Sequence, residues 1–270
     1  VRLWVSHPYF QVRTQILALG ILSCILAALC APLLVPFLPP PGTIRTLVSD
    51  GDTREYYLFV PPELPSSQRV PLVFMLQGFD TLEEPSGTTR SLYWNIAAAA
   101  RRHAFIAVFP RGMKGSFPDE PGVLAWCPEY FIKNRSYIIR LVDEMKRQFA
   151  IDPDRIILAG FSNGAYFASV ELTTRPDTPF TGFWLDAGGY PYAFNPHVKR
   201  HPVFITRGAL DIYNASYTLE LSEFLASHGW QAGSNLFSET HEWAHVFNEA
   251  ATDRAIDFLL FSHPRTVSNR

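Results

Sequence analysis

The chain has 270 residues, 47% of them apolar, and a formal net charge of −2. That length allows one sizeable core, and the interspersed charges exclude the broad electropositive face that nucleic-acid binding needs. Of three cysteines, Cys24 and Cys30 fall in an apolar N-terminal stretch, leaving Cys127 alone in the remainder. A disulfide framework is thereby excluded there, and with no activating neighbour Cys127 reads as a buried or semi-buried bystander.

Ile16 to Leu38 carries no charge and has the length that a bilayer core requires of an apolar helix. Arg2 and Arg13 precede it, so the positive-inside rule places everything after Leu38 outside the cytoplasm. Two forms stay open. One is an uncleaved signal anchor that holds the chain to the membrane; the other is a signal peptide cut near Ala28-Leu29-Cys30, giving a secreted protein. Pro32, Pro36 and Pro39-Pro40-Pro41 make a stiff connector. The expected organisation is residues 1–42 as this segment and connector, and residues 43–265 as one globular domain.

From Thr43 the pattern alternates strand and helix. Thr43 to Val48 and Glu55 to Val60 flank Asp50-Gly51-Asp52 as a predicted antiparallel hairpin. Pro71 to Leu76 and Phe105 to Phe109 read as strands covered on both faces, with an alanine-rich helix, Trp94 to Arg102, between them. Met113 to Lys133 lacks periodicity and is expected to be irregular. Helices follow at Tyr137 to Phe149, Ala165 to Leu172, Leu219 to Ala226 and Ala250 to Phe261. Strands are expected at Arg155 to Ala159, Gly182 to Leu185, Val203 to Thr206 and Leu236 to Ser238. The order predicts an α/β fold with a mainly parallel central sheet and helices on both faces, preceded by an N-terminal apolar helix.

Between one such strand and helix stands Gly160-Phe161-Ser162-Asn163-Gly164, a G-x-S-x-G sequence in the strand–turn–helix context its chemistry demands. A serine hydroxyl is a poor nucleophile and must project from a sharp turn toward a base; the two glycines relieve the crowding of that turn. Ser162 is therefore the candidate nucleophile. The acid is expected at Asp211, beyond the strand Val203 to Thr206, with Asp186, one strand earlier, as its rival. For the base, His241 and His245 both follow the last predicted strand. His241 is preferred because it directly follows the strand-end residues Ser238-Glu239-Thr240. The oxyanion donors are expected to be the backbone N–H groups of Asn163 and of Phe79, in the loop opened by Gln77-Gly78.

These features resemble the poly(3-hydroxybutyrate) depolymerase and feruloyl-esterase-like carbohydrate esterases, small serine esterases of the α/β-hydrolase fold. The resemblance rests on Arg54 to Pro62, Pro71 to Gly78, Ala104 to Gly112, Ile151 to Arg155, Gly160 to Ala165 and His241-Glu242-Trp243, and spans about Thr43 to Phe261. It implies Ser162 as nucleophile, Asp211 as acid and His241 as base. It also implies hydrolysis of small-molecule or polymeric carboxylic esters without a cofactor or metal, usually after export. Gln77 departs from the histidine that relatives commonly carry before the glycine. Two other readings compete: His241-Glu242-Trp243-Ala244-His245 spells the H-E-x-x-H of zinc hydrolases, and the fold also serves catalytically silent binding modules.

Overall fold

The structure, a computed structural model, describes residues 38–64, 68–81, 84–114, 122–127 and 130–261. The expected N-terminal helix and its cleavage site lie outside the described residues. Among those described, no helix is long and apolar enough to cross a membrane.

The chain opens with β1 (Thr43–Ser49) and β2 (Asp52–Phe59), joined at Asp50 and Gly51, both with positive φ. Two such residues in succession form the tight turn whose twist matches an antiparallel pair. Then come β3 (Val70–Leu76), β4 (Asp80–Thr81), α1 (Gly87–His103), β5 (Ile106–Pro110), β6 (Met113–Lys114) and β7 (Val123–Ala125). The second half comprises α2 (Phe131–Gln148), β8 (Ile151–Phe161), α3 (Asn163–Thr174), β9 (Gly182–Asp186), β10 (Val203–Gly208), α4 (Ala215–Ser227), β11 (Leu236–His241) and α5 (Thr252–Phe261). Eight strands form one sheet in the order β1-β2-β5-β3-β8-β9-β10-β11. β1, β2 and β5 pair antiparallel, and every other neighbouring pair is parallel.

Side chains alternate across the pleat, so each central strand feeds two cores. Leu72, Phe74 and Leu76 of β3 join Ile156 and Leu158 of β8 against α2, α3 and α4. Val73 and Met75 join Ile157 and Ala159 against α1 and α5. Helices thus cover both faces, and β3 is buried along its whole length.

Two expectations are corrected. Within the stretch expected to be irregular, β6 and β7 pair antiparallel, and β7 also pairs with β4 to make a three-stranded sheet, β4-β7-β6; strands of two or three residues are too short to show alternation. β11 does not stop at Ser238 but pairs with β10 through Thr206↔Glu239, Arg207↔Thr240 and Gly208↔His241. Only Leu236 of this edge strand is fully buried and the residues after it are exposed or half-buried, so its polar end resembles a loop in sequence. The extension decides which histidine reaches the serine.

Candidate active site

Strand β8 turns into α3 through Ser162, whose φ of +52° and ψ of −118° are strained for a residue with a side chain. The neighbouring backbone comes so close that the glycines are obligatory. A Cβ on Gly160 would stand 2.3 Å from the carbonyl carbon of Gly164, and one on Gly164 2.6 Å from the Leu76 carbonyl oxygen. A Cβ on Gly188, after β9, would stand 2.4 Å from the Ser162 carbonyl oxygen. The Ser162 N–H donates to the Asp186 carbonyl at 2.8 Å, pinning the elbow to β9.

Ser162 Oγ lies 2.8 Å from His245 Nε2, and His245 Nδ1 lies 2.7 Å from Asp211 Oδ2. With Nδ1–H donating to the carboxylate, Nε2 accepts from the serine hydroxyl, the tautomer a general base requires. Asp211 is 2% exposed and its other oxygen accepts from the N–H groups of Tyr213 and Asn214, both at 3.0 Å. Those two bonds fix the carboxylate ahead of α4. The loops that carry Asp211 and His245 are joined by their backbones: Ala209 N–H donates to His241 O at 2.6 Å and Leu210 N–H to Trp243 O at 3.0 Å. A Cβ on Gly208 would stand 2.2 Å from Trp243 O, so this approach also depends on glycine. The His245 ring stacks on Phe161 with centroids 5.2 Å apart.

The structure thus brings Ser162 and Asp211 together with His245, and the expectation that His241 completes the group is corrected. His241 is the last residue of β11, and its Nε2 lies 3.1 Å from Glu239 Oε2, a carboxylate also bound twice by Arg254 at 2.7 Å. Four more residues of loop are needed to return to the elbow. The same geometry removes the zinc reading: residues 242–248 are not helical, and the two histidine rings serve different partners. Among the described residues, no group of three His, Cys, Asp or Glu side chains is placed to hold a metal ion.

Asp186, the rival acid, is buried at the end of β9 and accepts from the Thr206 hydroxyl and from Asn248 N–H at 3.0 Å. It anchors the segment that follows His245. Burial away from water pushes its carboxyl up to about 7.

Of the two expected oxyanion donors, Asn163 is the first residue of α3, where N–H groups have no partner within the helix; its side-chain oxygen accepts from Trp126 N–H at 2.5 Å. Phe79 and Gly78 line a cavity of about 300 Å³ that contains Ser162 and His245. A Cβ on Gly78 would come 3.2 Å from Ser162 Cβ. Gln77 is fully buried, its amide donating to Pro110 O and accepting from Gly112 N–H, both at 2.9 Å, which ties this loop to the end of β5. Cys127 is buried and in no disulfide.

No family model matches the chain. A bifunctional acetylxylan esterase/xylanase of Neocallimastix patriciarum is 29% identical over 118 residues, 43% of this chain and 15% of that protein. Poly(3-hydroxyalkanoate) depolymerase C of Paucimonas lemoignei is 29% identical over 144 residues, 51% of this chain and 32% of that one. The matches therefore span less than a third of either curated relative. Among solved structures, a feruloyl esterase module from Clostridium thermocellum complexed with sinapinate superposes with a TM-score of 0.59 at 14% identity, covering 85% of this chain and 93% of that one. Esterase 2 of Thermogutta terrifontis, phosphonylated by cyclosarin, gives 0.58 at 14% identity over 82% and 92%. With its strand order, its strained serine elbow and these neighbours, the chain has the α/β-hydrolase fold.

Proposed function

We propose that this chain is a carboxylic ester hydrolase in which Ser162 is the nucleophile, His245 the general base and acid, and Asp211 the group that orients His245. The observation that carries the reading is the hydrogen-bonded series from Ser162 Oγ through both nitrogens of His245 to a buried carboxylate. Ser162 Oγ attacks the ester carbonyl carbon while its proton passes to His245 Nε2. The negative charge that develops on the carbonyl oxygen is met by the N–H groups of Asn163 and Phe79, and each such donor contributes about 2.7–4 kcal/mol to transition states of this kind. The C–O bond then breaks, His245 returns the proton to the departing alcohol, and a water activated by the same nitrogen releases the acid from Ser162.

The relatives named for acetylxylan and polyhydroxyalkanoate substrates support esters of a polymer as the substrate class. The uncharged stretch Ile16 to Leu38 supports action outside the cytoplasm, which protease added to intact cells would test. The chemistry is tested by a fluorophosphonate probe and a series of p-nitrophenyl esters on residues 38–270. Wild type is expected to label and turn over, and Ser162→Ala to do neither. Labelling that persists in Ser162→Ala overturns the assignment.

A further inference from the structure

Asn214 stands at the N-cap of α4, where its carbonyl oxygen accepts the first helical bond, from Thr218 N–H at 2.9 Å. An asparagine there ordinarily turns its side-chain oxygen over the first turn to accept a second N–H, which contributes about 1 kcal/mol. Asn214 makes no such bond. Its side chain is buried and committed elsewhere: Oδ1 lies 2.7 Å from the Tyr166 hydroxyl, and Nδ2 lies 3.0 Å from His245 Nδ1. Tyr166 belongs to the first turn of α3, and its N–H donates to the Ser162 carbonyl at 3.2 Å. The contacts therefore close a ring. They run from Ser162 Oγ through both nitrogens of His245 to Asn214, then to Tyr166 and back to the backbone of the serine elbow.

His245 Nδ1 thus has two neighbours and one hydrogen to give. Asp211 Oδ2, at 2.7 Å, is the nearer and carries charge, so it takes the hydrogen. Asn214 has a carbonyl oxygen and an NH2 group on one planar amide, and Tyr166 decides which of them faces the ring. Burial pushes the Tyr166 hydroxyl upward from its ordinary range, so at neutral pH it keeps its hydrogen and donates it to Oδ1. The amide is then locked with its NH2 end, the positive end of its dipole, against Nδ1. Phe161 of β8 stacks on the imidazole and the Tyr213 ring meets it edge to face, with centroids 5.2 Å and 6.1 Å away, which holds the ring in this contact. The ionisable groups facing His245 are Asp211 and Tyr213 from the loop before α4 and, through Asn214, Tyr166 from α3. Asp186, at the end of β9, lies one step further and meets the His245 loop at Asn248 N–H.

The two neighbours act on the proton in opposite senses. When Ser162 gives its proton to Nε2 the imidazole becomes a cation; Asp211 favours that charge, and the NH2 dipole of Asn214 opposes it. The same proton must next pass from Nε2 to the oxygen of the departing alcohol, and a cation that is held too well returns it slowly. A carboxylate alone at Nδ1 would serve the first step at the expense of the second. We infer that Asn214, locked by Tyr166, is a positioning residue that opposes Asp211 at His245 Nδ1, so that the proton taken from Ser162 is handed on to an alcohol that cannot leave without it. This inference rests on the ester-hydrolase reading for its consequence in turnover, though not for the contact itself.

Two variants of the full chain test it. Tyr166→Phe removes the lock and frees the amide to turn its carbonyl to Nδ1–H, and Asn214→Asp sets a second carboxylate there. In both, the acid limb of kcat/KM against pH on p-nitrophenyl acetate is expected to move to higher pH, by about one unit or more in Asn214→Asp and by less in Tyr166→Phe. On the plateau, the ratio of kcat/KM on ethyl acetate to that on p-nitrophenyl acetate is expected to fall about fivefold in Asn214→Asp, because p-nitrophenolate leaves without a proton and ethoxide does not. Damage to packing alone would lower both esters alike and leave the limb where it was. A limb that stays in place in either variant overturns the proposal, as does an equal loss on the two esters. The titration of the His245 ring, followed by NMR in the wild type and both variants, needs no turnover. A midpoint displaced upward in the variants of a chain whose wild type hydrolyses neither ester would uphold the contact and overturn the esterase reading.

Discussion

His245 and His241 stand four residues apart, and each has a ring nitrogen against a carboxylate, at 2.7 Å from Asp211 and 3.1 Å from Glu239. The carboxylates differ in what else they hold. Asp211 is buried and bound by two backbone N–H groups, so its remaining oxygen is committed to the imidazole. Glu239 is bound by Arg254 through both oxygens, and that hydrogen bonding holds its carboxyl below the ordinary range. A proton arriving on His245 would sit between a carboxylate without a competing cation and the serine oxygen. One arriving on His241 would share its carboxylate with a guanidinium. A carboxylate–histidine pair is thus not itself a signature of base catalysis; the third partner and its burial decide.

The largest effects are expected on the inner pair. His245→Ala removes the proton acceptor from Ser162 and should lower kcat/KM on p-nitrophenyl acetate at least about ten-thousandfold. Asp211→Asn keeps the shape but offers an amide where Nδ1–H needs an acceptor; a loss of about ten-thousandfold is expected, with substrate binding little changed. Both are read from stopped-time ester assays on variants whose circular dichroism matches wild type. An Asp211→Asn variant within about tenfold of wild type would break the comparison.

Much of this arrangement was legible in the sequence. The alternation of apolar strands and amphipathic helices identifies the sheet, and G-x-S-x-G marks the elbow because its glycines answer to backbone contacts under 3 Å. The position of Asp211 follows from its place beyond β10. The histidine that meets Ser162 did not follow, because β11 lies at the sheet edge and its last residues, Ser238-Glu239-Thr240-His241, are polar while still paired. Hydropathy ends such a strand too early. A usable signal lay on the partner strand: Gly208 admits the Trp243 backbone, which places the acid loop against residues beyond His241.

Asp186 sharpens the comparison, being a buried carboxylate at a neighbouring strand end with no histidine. Its carboxyl is pushed up to about 7 from an ordinary 3.8, chiefly by burial, so the folded chain holds this proton more tightly than the unfolded chain. The stabilising contribution is complete below about 3.8 and is lost as pH rises through about 7. Asp186→Asn, which cannot ionise, should remove that dependence: its thermal midpoint relative to wild type should rise between pH 4 and 7 and level off above. Activity should fall less than about tenfold, through the Asn248 anchor rather than through a reacting atom. A midpoint difference that does not vary with pH would show Asp186 to be no proton store.

The smallest effect is expected at His241. Its side chain is about as accessible as that of His245, 23% against 25%, but it meets no serine; its partner Glu239 already has Arg254, and solvent-accessible ion pairs contribute about 0–1 kcal/mol. His241→Ala should therefore change kcat/KM by no more than about threefold and leave the rate-against-pH profile of the wild type in place. The backbone carbonyl of residue 241 still receives Ala209 N–H in the variant, so the acid loop keeps its tie. This separates side chain from position: His241→Pro, which also leaves that carbonyl but fixes φ and removes an N–H at the end of β11, should cost more than His241→Ala. If His241→Ala instead matched the loss in His245→Ala, the outer pair would be part of proton transfer, and the distinction between the two carboxylate–histidine pairs would fail.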